Sequence, residues 1–332
     1  AGLDSRVTTP TTDADLARRA QERALDLLRA ARPSRAEKAR AARLSRLLAD
    51  DAGRDLLLDL TDQVMRIEDP QRSARRLRDL ARAGLPAALG PLDRAGLSAL
   101  GSLAPVAPRL ARHLVSWRVT RDTAGVVLPA DDPAFGSYLA RRRSDGFGLN
   151  VNLLGEAILG DAEAAARASR VEDLIRRADV DYVSVKVSAI CANLDVLAWE
   201  DSLARVERTL VPLYRAAAAA SPRTFVNLDM EEYRDLELSV EAFVRVLGRP
   251  EFDDLEAGIV LQAYIPDSHA ALERLCAFAN ARHTSGAAPI KVRLVKGANL
   301  ASELVEAEQH GWTPATYASK AEVDASFKRM LD

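Results

Sequence analysis

Two patterns of apolar and polar positions divide the chain near Gly146. Before this point, apolar positions recur at helical spacing in a sequence rich in Ala, Arg and Leu. After it, short apolar runs of strand length alternate with longer helical stretches. The pattern therefore predicts an all-helical domain over residues 1–145 and a second domain over residues 146–332.

The first domain carries clear helix-boundary signals. Asp69-Pro70 predicts an N-cap followed by proline in the first turn, and Gly84 predicts the end of that helix. The stretch 85–108 is dense in Gly and Pro, which predicts a connection or a set of short helices. An Ala-rich helical layer of this kind favours packing or dimerisation, so we expect a possible homo-oligomer and no catalytic constellation here.

The second domain alternates strand and helix patterns. The predicted strands are 148–154, 182–188, 224–230, 258–264 and 290–295. The predicted helices are 162–178, 199–220, 236–247, 268–281 and 301–309. This βαβ order predicts a parallel sheet with right-handed crossovers.

Polar positions inside these strands favour a barrel over a doubly wound sheet. Val183 and Val185 lie on one face, and Ser184 and Lys186 lie on the other. A sheet buried on both faces has near-continuous apolar strands, whereas here one face turns polar toward the carboxyl end. That end is where a barrel builds its site. The predicted fold class is α/β, a (βα)8 TIM-type barrel with about five βα units present, preceded by the helical domain.

The ends of the five predicted strands carry, in order, Glu156, Lys186, Asp229, Gln262 and Arg293. These residues recur at about 30 to 43 residues, which is the interval of a βα repeat. A charge buried alone in a strand is costly, so each needs a partner or water. We therefore expect the five side chains to converge on one site.

Lys186 has three interpretations on the residues alone. It lies between Val185 and Val187, where a strand is otherwise apolar. It is a candidate Schiff-base nucleophile, a clamp for a substrate carboxylate, or half of a buried ion pair with Glu156 or Asp229. The nearby acidic run at 231–232 is interpreted as ordinary loop charge.

The stretch from Arg293 to Ala298 favours recognition of a phosphate or a flavin. Its small Gly297-Ala298 pair allows the backbone to approach a ligand closely, and Lys296 adds a positive charge. The helix predicted from Ala301 points the positive end of its dipole toward such a ligand. The chain has neither a GxGxxG motif after a strand nor a GxxxxGK[ST] motif, so a Rossmann or P-loop site is not supported.

Composition excludes several classes of protein. The 46 basic and 48 acidic residues give a net charge of −2, which excludes the basic footprint of a nucleic-acid binder. The two cysteines form no CxxC pair, which argues against a disulfide framework or a structural zinc and fits a reducing cytoplasm. No histidine pair has metal-ligand spacing, so no metal site is predicted. No apolar run reaches the roughly 18 residues of a membrane span.

Five short motifs follow one another in the second domain. They are Leu154-Gly155-Glu156-Ala157, Val185-Lys186-Val187-Ser188-Ala189, Asn227-Leu228-Asp229-Met230-Glu231-Glu232, Leu261-Gln262-Ala263-Tyr264 and Arg293-Leu294-Val295-Lys296-Gly297-Ala298. In this order and spacing the chain resembles the flavin-dependent proline dehydrogenase family over about residues 147–332. The helical region before it is similar to the α-domain of the bifunctional proline utilization A proteins, which join this barrel to a glutamate-semialdehyde dehydrogenase.

The resemblance implies a (βα)8 barrel that holds FAD and oxidises L-proline to Δ1-pyrroline-5-carboxylate, the first step of proline catabolism to glutamate. It implies hydride transfer from the ring carbon next to nitrogen to flavin N5. It also implies that electrons pass to a membrane quinone, which places the protein in the cytoplasm, in peripheral contact with the inner membrane face.

The resemblance also implies roles for individual residues. Lys186 matches the residue that pairs with the proline carboxylate, and Glu156 matches an acid of the substrate site. Asp229 and Arg293 match the active-site pair. The positions that match cofactor contacts are Met230, Gln262, Arg293, Lys296, Gly297 and Ala298. Hydride transfer needs positioned reactants rather than a nucleophile, so under this resemblance Lys186 is an anion clamp.

The sequence departs from the family pattern in two respects. Asn299 stands where many members carry an aromatic residue, which implies a different cofactor edge. Only five strand patterns precede Asp332, so we expect the remaining strands to follow it and the 332 residues alone to bind FAD poorly and turn over little. The alternatives are a Lys-dependent barrel lyase, which forms a Schiff base, and a non-catalytic helical assembly module.

Overall fold

A computed structural model describes residues 13–30, 35–65, 67, 69–122, 128, 133–153 and 160–332. The chain divides into two compact units, residues 1–130 and residues 131–332. The helix Pro133–Ser144 goes with the second unit, so this division comes earlier than the boundary predicted at 145. Glu156 lies outside the described residues, as do the other residues of its motif.

The described part of the first unit is helical. Its elements are α1 Asp13–Ala30, α2 Arg35–Ala49, α3 Asp51–Leu58, a π-helical segment Asp59–Met65, α4 Pro70–Ala83, α5 Pro91–Leu103 and α6 Pro108–Asp122. A hydrophobic core joins α3, the π-helical segment, α4 and the later helices through Leu56, Leu60, Val64, Ala74, Leu77, Ala104, Ala111 and Val115. The helical domain expected from the sequence is present.

The boundaries of α4 form as predicted. The side chain of Asp69 accepts a hydrogen bond from the backbone N–H of Gln71 at 2.9 Å, and Pro70 occupies the first turn. Gly84 ends the helix at a φ of 107°, which suits glycine. The stretch 85–108, predicted as a connection or a set of short helices, holds the helix α5, which Pro91 opens.

The second unit alternates strands with helices. Its elements are α7 Pro133–Ser144, β1 Val151–Asn152, α8 Asp161–Ile175, β2 Tyr182–Lys186, α9 Val187–Ile190, a 3-10 turn Val196–Ala198, α10 Trp199–Ala219, β3 Phe225–Asp229, a 3-10 turn Tyr233–Asp235, α11 Leu236–Leu247, a 3-10 turn Pro250–Phe252, β4 Ala257–Gln262, α12 Ser268–Ser285, β5 Ile290–Val295, α13 Leu300–His310 and α14 Lys320–Leu331. The longer helices have the predicted bounds to within a few residues. The strand β5 and the helix α11 have the predicted bounds without any difference.

The five strands form one parallel sheet in the order β1-β2-β3-β4-β5. The predicted α/β class is therefore confirmed. A doubly wound sheet reverses its strand order at a switch point, whereas here every crossover adds the next strand on the same side. This sequential order is consistent with a (βα) barrel.

One face of the sheet is apolar and packs beneath the helices. Strand alternation places Val183, Val226 and Ile259 on this face, and each is fully buried. The opposite face carries Lys186 and Asp229, which lie side by side in the register of β2 and β3. Burial of the apolar face positions the polar face, because a shift of one residue would exchange the two.

The buried guanidinium of Arg282 secures the loops at the opposite end of β4 and β5 from Asp229. Arg282 lies on α12 and is 4% exposed. It donates to the carbonyl oxygens of Leu247, Phe252, Asp253, Leu255 and Ala288, at distances of 2.7 to 3.3 Å. These acceptors belong to the segments that lead into the two strands. The charge is therefore solvated by backbone dipoles rather than by a carboxylate.

Within the described residues, no helix combines the length and the apolar character that crossing a bilayer requires.

Candidate functional site

The site is built where the polar face reaches the carboxyl ends of the strands. In the register of the sheet, Lys186 on β2 lies opposite Asp229 on β3, and Val260 on β4 lies opposite Arg293 on β5. The side chain of Arg293 thus crosses β4 to reach Asp229.

Asp229 and Arg293 form a hydrogen-bonded ion pair. The Nη2 of Arg293 donates to Oδ1 of Asp229 at 2.9 Å. The Asp229 side chain is 8% exposed and that of Arg293 is 43% exposed. The carboxylate is thus almost enclosed, while the arginine side chain is partly exposed.

Burial raises the pKa of the Asp229 carboxyl above its ordinary value. The charge of Arg293 and a hydrogen bond from Ser184 lower the pKa, but they do not offset the loss of solvent. Asp229 is therefore a carboxylate whose ionised form depends on the groups around it.

Lys186 pairs with an acid that the sequence treated as loop charge. Its Nζ lies 2.7 Å from Oε2 of Glu231, two residues beyond Asp229. The alternative pairing with Asp229 is not the contact formed, and the interpretation of Glu231 as ordinary loop charge is wrong. The reason is geometric: β3 ends at Asp229, and the chain then turns so that Glu231 meets the end of β2.

Gln262 ties together the loops after β3 and β5. It is 2% exposed. Its Nε2 donates to the carbonyl oxygen of Glu231 at 2.7 Å and lies 3.6 Å from the sulfur of Met230. Its Oε1 accepts from the N–H of Ala298 at 3.2 Å. Asn299 adds a further bond, from Nδ2 to the same carbonyl of Glu231 at 3.3 Å. The side-chain amides of Gln262 and Asn299 therefore connect the loop after β3 to the turn after β5.

The turn after β5 packs against Tyr264. Gly297 has a φ of +136°, and an ideal Cβ there would lie 2.4 Å from Cδ1 of Tyr264. Burial raises the pKa of the Tyr264 hydroxyl to about 12. Close approach to a protein ring is thus sufficient reason for glycine at 297, besides the close approach to a ligand proposed from the sequence.

Lys296 is held away from the Asp229 pair. Its ammonium contacts the carboxylate of Asp324 on α14, and Lys320 contacts the other oxygen of that carboxylate at 2.5 Å. The side chain of Lys296 is 51% exposed. Lys296 lies three residues after Arg293 in the same motif, but its side chain contacts α14 instead of β3.

Sequence reasoning missed a layer of uncharged polar groups beneath Asp229. Asn152, Ser184 and Asn227 lie in one row of the sheet register. Asn227 donates to Asp229 Oδ1 at 2.7 Å, and Asn150 donates to the Ser184 hydroxyl at 2.8 Å. The signal was present in the strand alternation, which puts Asn227 on the same face as Asp229.

The donor set fits a flavin and a zwitterionic substrate. Reduced flavins carry negative charge that a guanidinium stabilises, and a carboxylate substrate needs a cation. Arg293 donates from Nη2 to Asp229, and its side chain is partly exposed. Lys186, with 23% of its side chain exposed, remains accessible beside its partner. The residues that would hold the cofactor are Met230, Gln262, Arg293, Gly297 and Ala298, here called the rim residues. The sequence also predicts Lys296 for this role, but in the structure its ammonium contacts Asp324 instead.

The sequential parallel sheet, with a charged pair and a lysine at its carboxyl end, is consistent with an α/β protein of the barrel type. The proline dehydrogenase family profile matches residues 136–332. The chain belongs to the proline dehydrogenase family.

Solved structures of proline utilization A resemble this chain. The protein from Corynebacterium freiburgense is 46% identical over 69% of this chain, with a TM-score of 0.62. The protein from Bdellovibrio bacteriovorus, solved after inactivation by N-propargylglycine, is 26% identical over 87% of this chain, with a TM-score of 0.65. The chain spans 24% and 29% of those two proteins. A comparison with curated proteins finds no match.

Proposed function

We propose that this chain carries the proline-oxidising site of a FAD-dependent proline dehydrogenase, which converts L-proline to Δ1-pyrroline-5-carboxylate on the route to glutamate. The observation that carries the proposal is the Asp229–Arg293 pair with Lys186 on the neighbouring strand. Membership of the family supports the reaction, and the donor set described above supports the cofactor.

Lys186 is the group proposed to bind the proline carboxylate. In the structure its ammonium contacts Glu231, whose side chain is 41% exposed. A substrate carboxylate offers the same charge and geometry, so it can replace Glu231 as the partner of Lys186. Glu156 is proposed as a second acid of the substrate site on the resemblance alone.

Asp229 and Arg293 are proposed as the catalytic pair. Bound FAD would supply the two-electron oxidation by accepting a hydride at N5. Arg293 would place its positive charge where negative charge develops, and Asp229 would fix the guanidinium in that position. The rim residues would orient the reacting atoms and exclude water, since such transfer depends on distance.

The partners of the reaction are part of the proposal. A quinone is proposed as the electron acceptor, with peripheral contact at the inner face of the membrane from the cytoplasm. An aldehyde dehydrogenase in the same polypeptide and a homo-oligomeric assembly are proposed from the proline utilization A relatives.

The Schiff-base alternative is not favoured by the geometry. A nucleophilic lysine must lose its proton, which desolvation or a neighbouring cation promotes. Lys186 instead lies 2.7 Å from a carboxylate oxygen of Glu231, so its Nζ is engaged in an ion pair rather than placed alone in an apolar pocket.

The test uses the complete gene product, purified and loaded with FAD. We expect L-proline to bleach the flavin absorbance and a soluble quinone to restore it. Lys186→Ala should raise the KM for proline by at least about tenfold, because the half-buried charge partner of the substrate carboxylate is lost. Lys320→Ala removes an 81% exposed lysine and serves as the matched control.

Two results would contradict the proposal. One is a protein that binds no flavin and oxidises no proline. The other is a carbonyl substrate trapped on Lys186 by borohydride, which would favour the lyase.

A further inference from the structure

A buried amide lies directly beneath the carboxylate of Asp229. Asn227 is fully buried, and its Nδ2 donates to Oδ1 of Asp229 at 2.7 Å. The same oxygen accepts from Nη2 of Arg293 at 2.9 Å. One carboxylate oxygen thus receives both a neutral and a charged donor, from β3 and from β5.

The other donors to Asp229 are more distant. The Ser184 hydroxyl lies 3.4 Å from Oδ1, and Nδ2 of Asn152 lies 3.5 Å from Oδ2. Hydrogen bonds weaken at these lengths. Among these uncharged donors, Asn227 therefore makes the strongest contact.

The orientation of the Asn227 amide is fixed by what surrounds it. Its Oδ1 is buried and has no hydrogen-bond partner among the described residues. An ideal Cβ at position 258 would lie 2.7 Å from this oxygen, so Gly258 provides the space it occupies. Turning the amide over would place Oδ1 against the carboxylate, which is repulsive. The donor end is therefore committed to Asp229 at the cost of an unsatisfied acceptor.

We propose that Asn227 is a positioning residue, which keeps Asp229 ionised and turned toward Arg293. A hydrogen bond to the charged form of a carboxyl favours that form, and here it opposes burial. This inference rests on the proposed function only where it concerns proline oxidation. Its effect on Asp229 stands on the geometry alone.

The charged groups that face Asp229 are few. Arg293 approaches from β5, Lys186 from β2 and Glu231 from the loop after β3. From β4 the nearest positions are Val260 and Gln262, which do not titrate. The neutral donors Ser184 and Asn152 lie 3.4 and 3.5 Å from the Asp229 carboxylate, compared with 2.7 Å for Asn227. Among the described residues, loss of the Asn227 amide thus leaves no neutral donor at comparable distance.

The first measurement follows the titration of Asp229 in the 332-residue chain without flavin. Carbon-13 NMR of aspartate-labelled protein gives the midpoint, with Asp229→Asn to assign the signal. We expect Asn227→Leu to raise the midpoint by at least about one pH unit, a tenfold gain in proton affinity. If the leucine variant does not fold, Asn227→Ala replaces it.

The control is Thr224→Val. Thr224 is 1% exposed, precedes β3, and donates from Oγ1 to the carbonyl of Ile175 at 3.0 Å. This variant also loses a buried hydrogen bond but should leave the Asp229 midpoint unchanged. An unchanged midpoint in the Asn227 variant, or an equal shift in both variants, would overturn the proposal.

The second measurement is the pH dependence of kcat/KM for proline in the FAD-loaded complete gene product. We expect the acidic limb to move upward with the NMR midpoint in the Asn227 variant alone. A shifted midpoint in a protein that oxidises no proline would refute the proposed function and leave the role of Asn227 standing. A shifted midpoint with an unshifted acidic limb in an active enzyme would overturn its positioning role in the reaction.

Discussion

Arg293 and Lys296 belong to one motif, yet their side chains enter different surroundings. Arg293 pairs with Asp229, whose side chain is 8% exposed, and lies in a network that crosses three strands. Lys296 pairs with Asp324, whose side chain is 39% exposed, on α14. The two ion pairs thus differ chiefly in the burial of the acid.

The burial of the acid should decide how much each ion pair contributes to activity and stability. A buried carboxylate depends on every donor around it, whereas an exposed pair loses much of its energy to water and salt. We therefore expect substitutions around Asp229 to have large effects and substitutions around Asp324 to have small ones.

The largest expected effect is that of Asp229→Ala. Arg293 loses the group that fixes its guanidinium, so kcat/KM for proline should fall by about 100-fold or more. Steady-state kinetics of the FAD-loaded complete gene product measure this loss. Asp324→Ala is the matched control, and an equal loss there would break the distinction between the two pairs.

Gly297→Ala should give the next largest effect, on stability. A new Cβ would meet the Tyr264 ring at 2.4 Å, at a φ of +136°. Overpacking and backbone strain together should lower the free energy of unfolding by roughly 2 to 4 kcal/mol. Urea unfolding of the 332-residue chain measures it.

Gly311→Ala is the control for that prediction. Gly311 also has a positive φ, of +66°, but nothing lies within 4 Å of its ideal Cβ. The cost there should be about 1 kcal/mol. Equal losses at the two glycines would show that the Tyr264 contact adds nothing.

Asp235 is a carboxyl whose burial outweighs its nearby cation, Arg234, so it tests whether such a group makes stability fall as pH rises. Burial, and then the nearby Glu232, raises the pKa of Asp235 from 3.8 to about 6. The folded state therefore binds more protons than the unfolded state between these values, and stability falls as pH rises through that window. Asp235→Asn should remove this loss, gaining at most about 3 kcal/mol by pH 7 relative to pH 3.5.

Urea unfolding midpoints of the unsubstituted protein and of Asp235→Asn, taken across that pH range, measure the difference in stability. Asp254→Asn, at a carboxylate 85% exposed, should show no such pH-dependent gain. A gain for Asp235→Asn that does not grow with pH would mean that Asp235 is not protonated on folding.

The smallest expected effect is that of Asp324→Ala on stability. Hydrogen bonds from Lys296 and Lys320 lower the pKa of this carboxyl, so its contribution is present at neutral pH and is lost as pH falls. Because the group is exposed, the change in urea midpoint at pH 7 should be no larger than the scatter of repeats. A clear, salt-sensitive loss would show that the Lys296 pair holds the turn.

The sequence determined the alternation of strands and helices well, because buried apolar faces have strict periods. The bounds of β5 and α11 follow from that periodicity, and so does the face shared by Lys186 and Asp229. Contacts made beyond the strand ends could not be predicted in the same way. Glu231 reaches Lys186 through a turn, and Lys296 reaches Asp324 across about 28 residues, where no period applies.

The packing of Gly297 against the Tyr264 ring could not be predicted from the sequence either. The motif suggested a ligand, but the Tyr264 ring that fills the space comes from another strand end. The roles of Glu156 and of the cofactor contacts remain predictions from the resemblance.

Arg282 has a consequence for motion. Its five acceptors lie in the segments before β4 and β5, so neither segment can open without leaving carbonyls and a guanidinium unsatisfied. The backbone amides of these segments should therefore exchange with deuterium together, as one cooperative unit. The amino end of β5, next to Ala288, would then stay fixed, while the carboxyl end that carries Arg293 could still move.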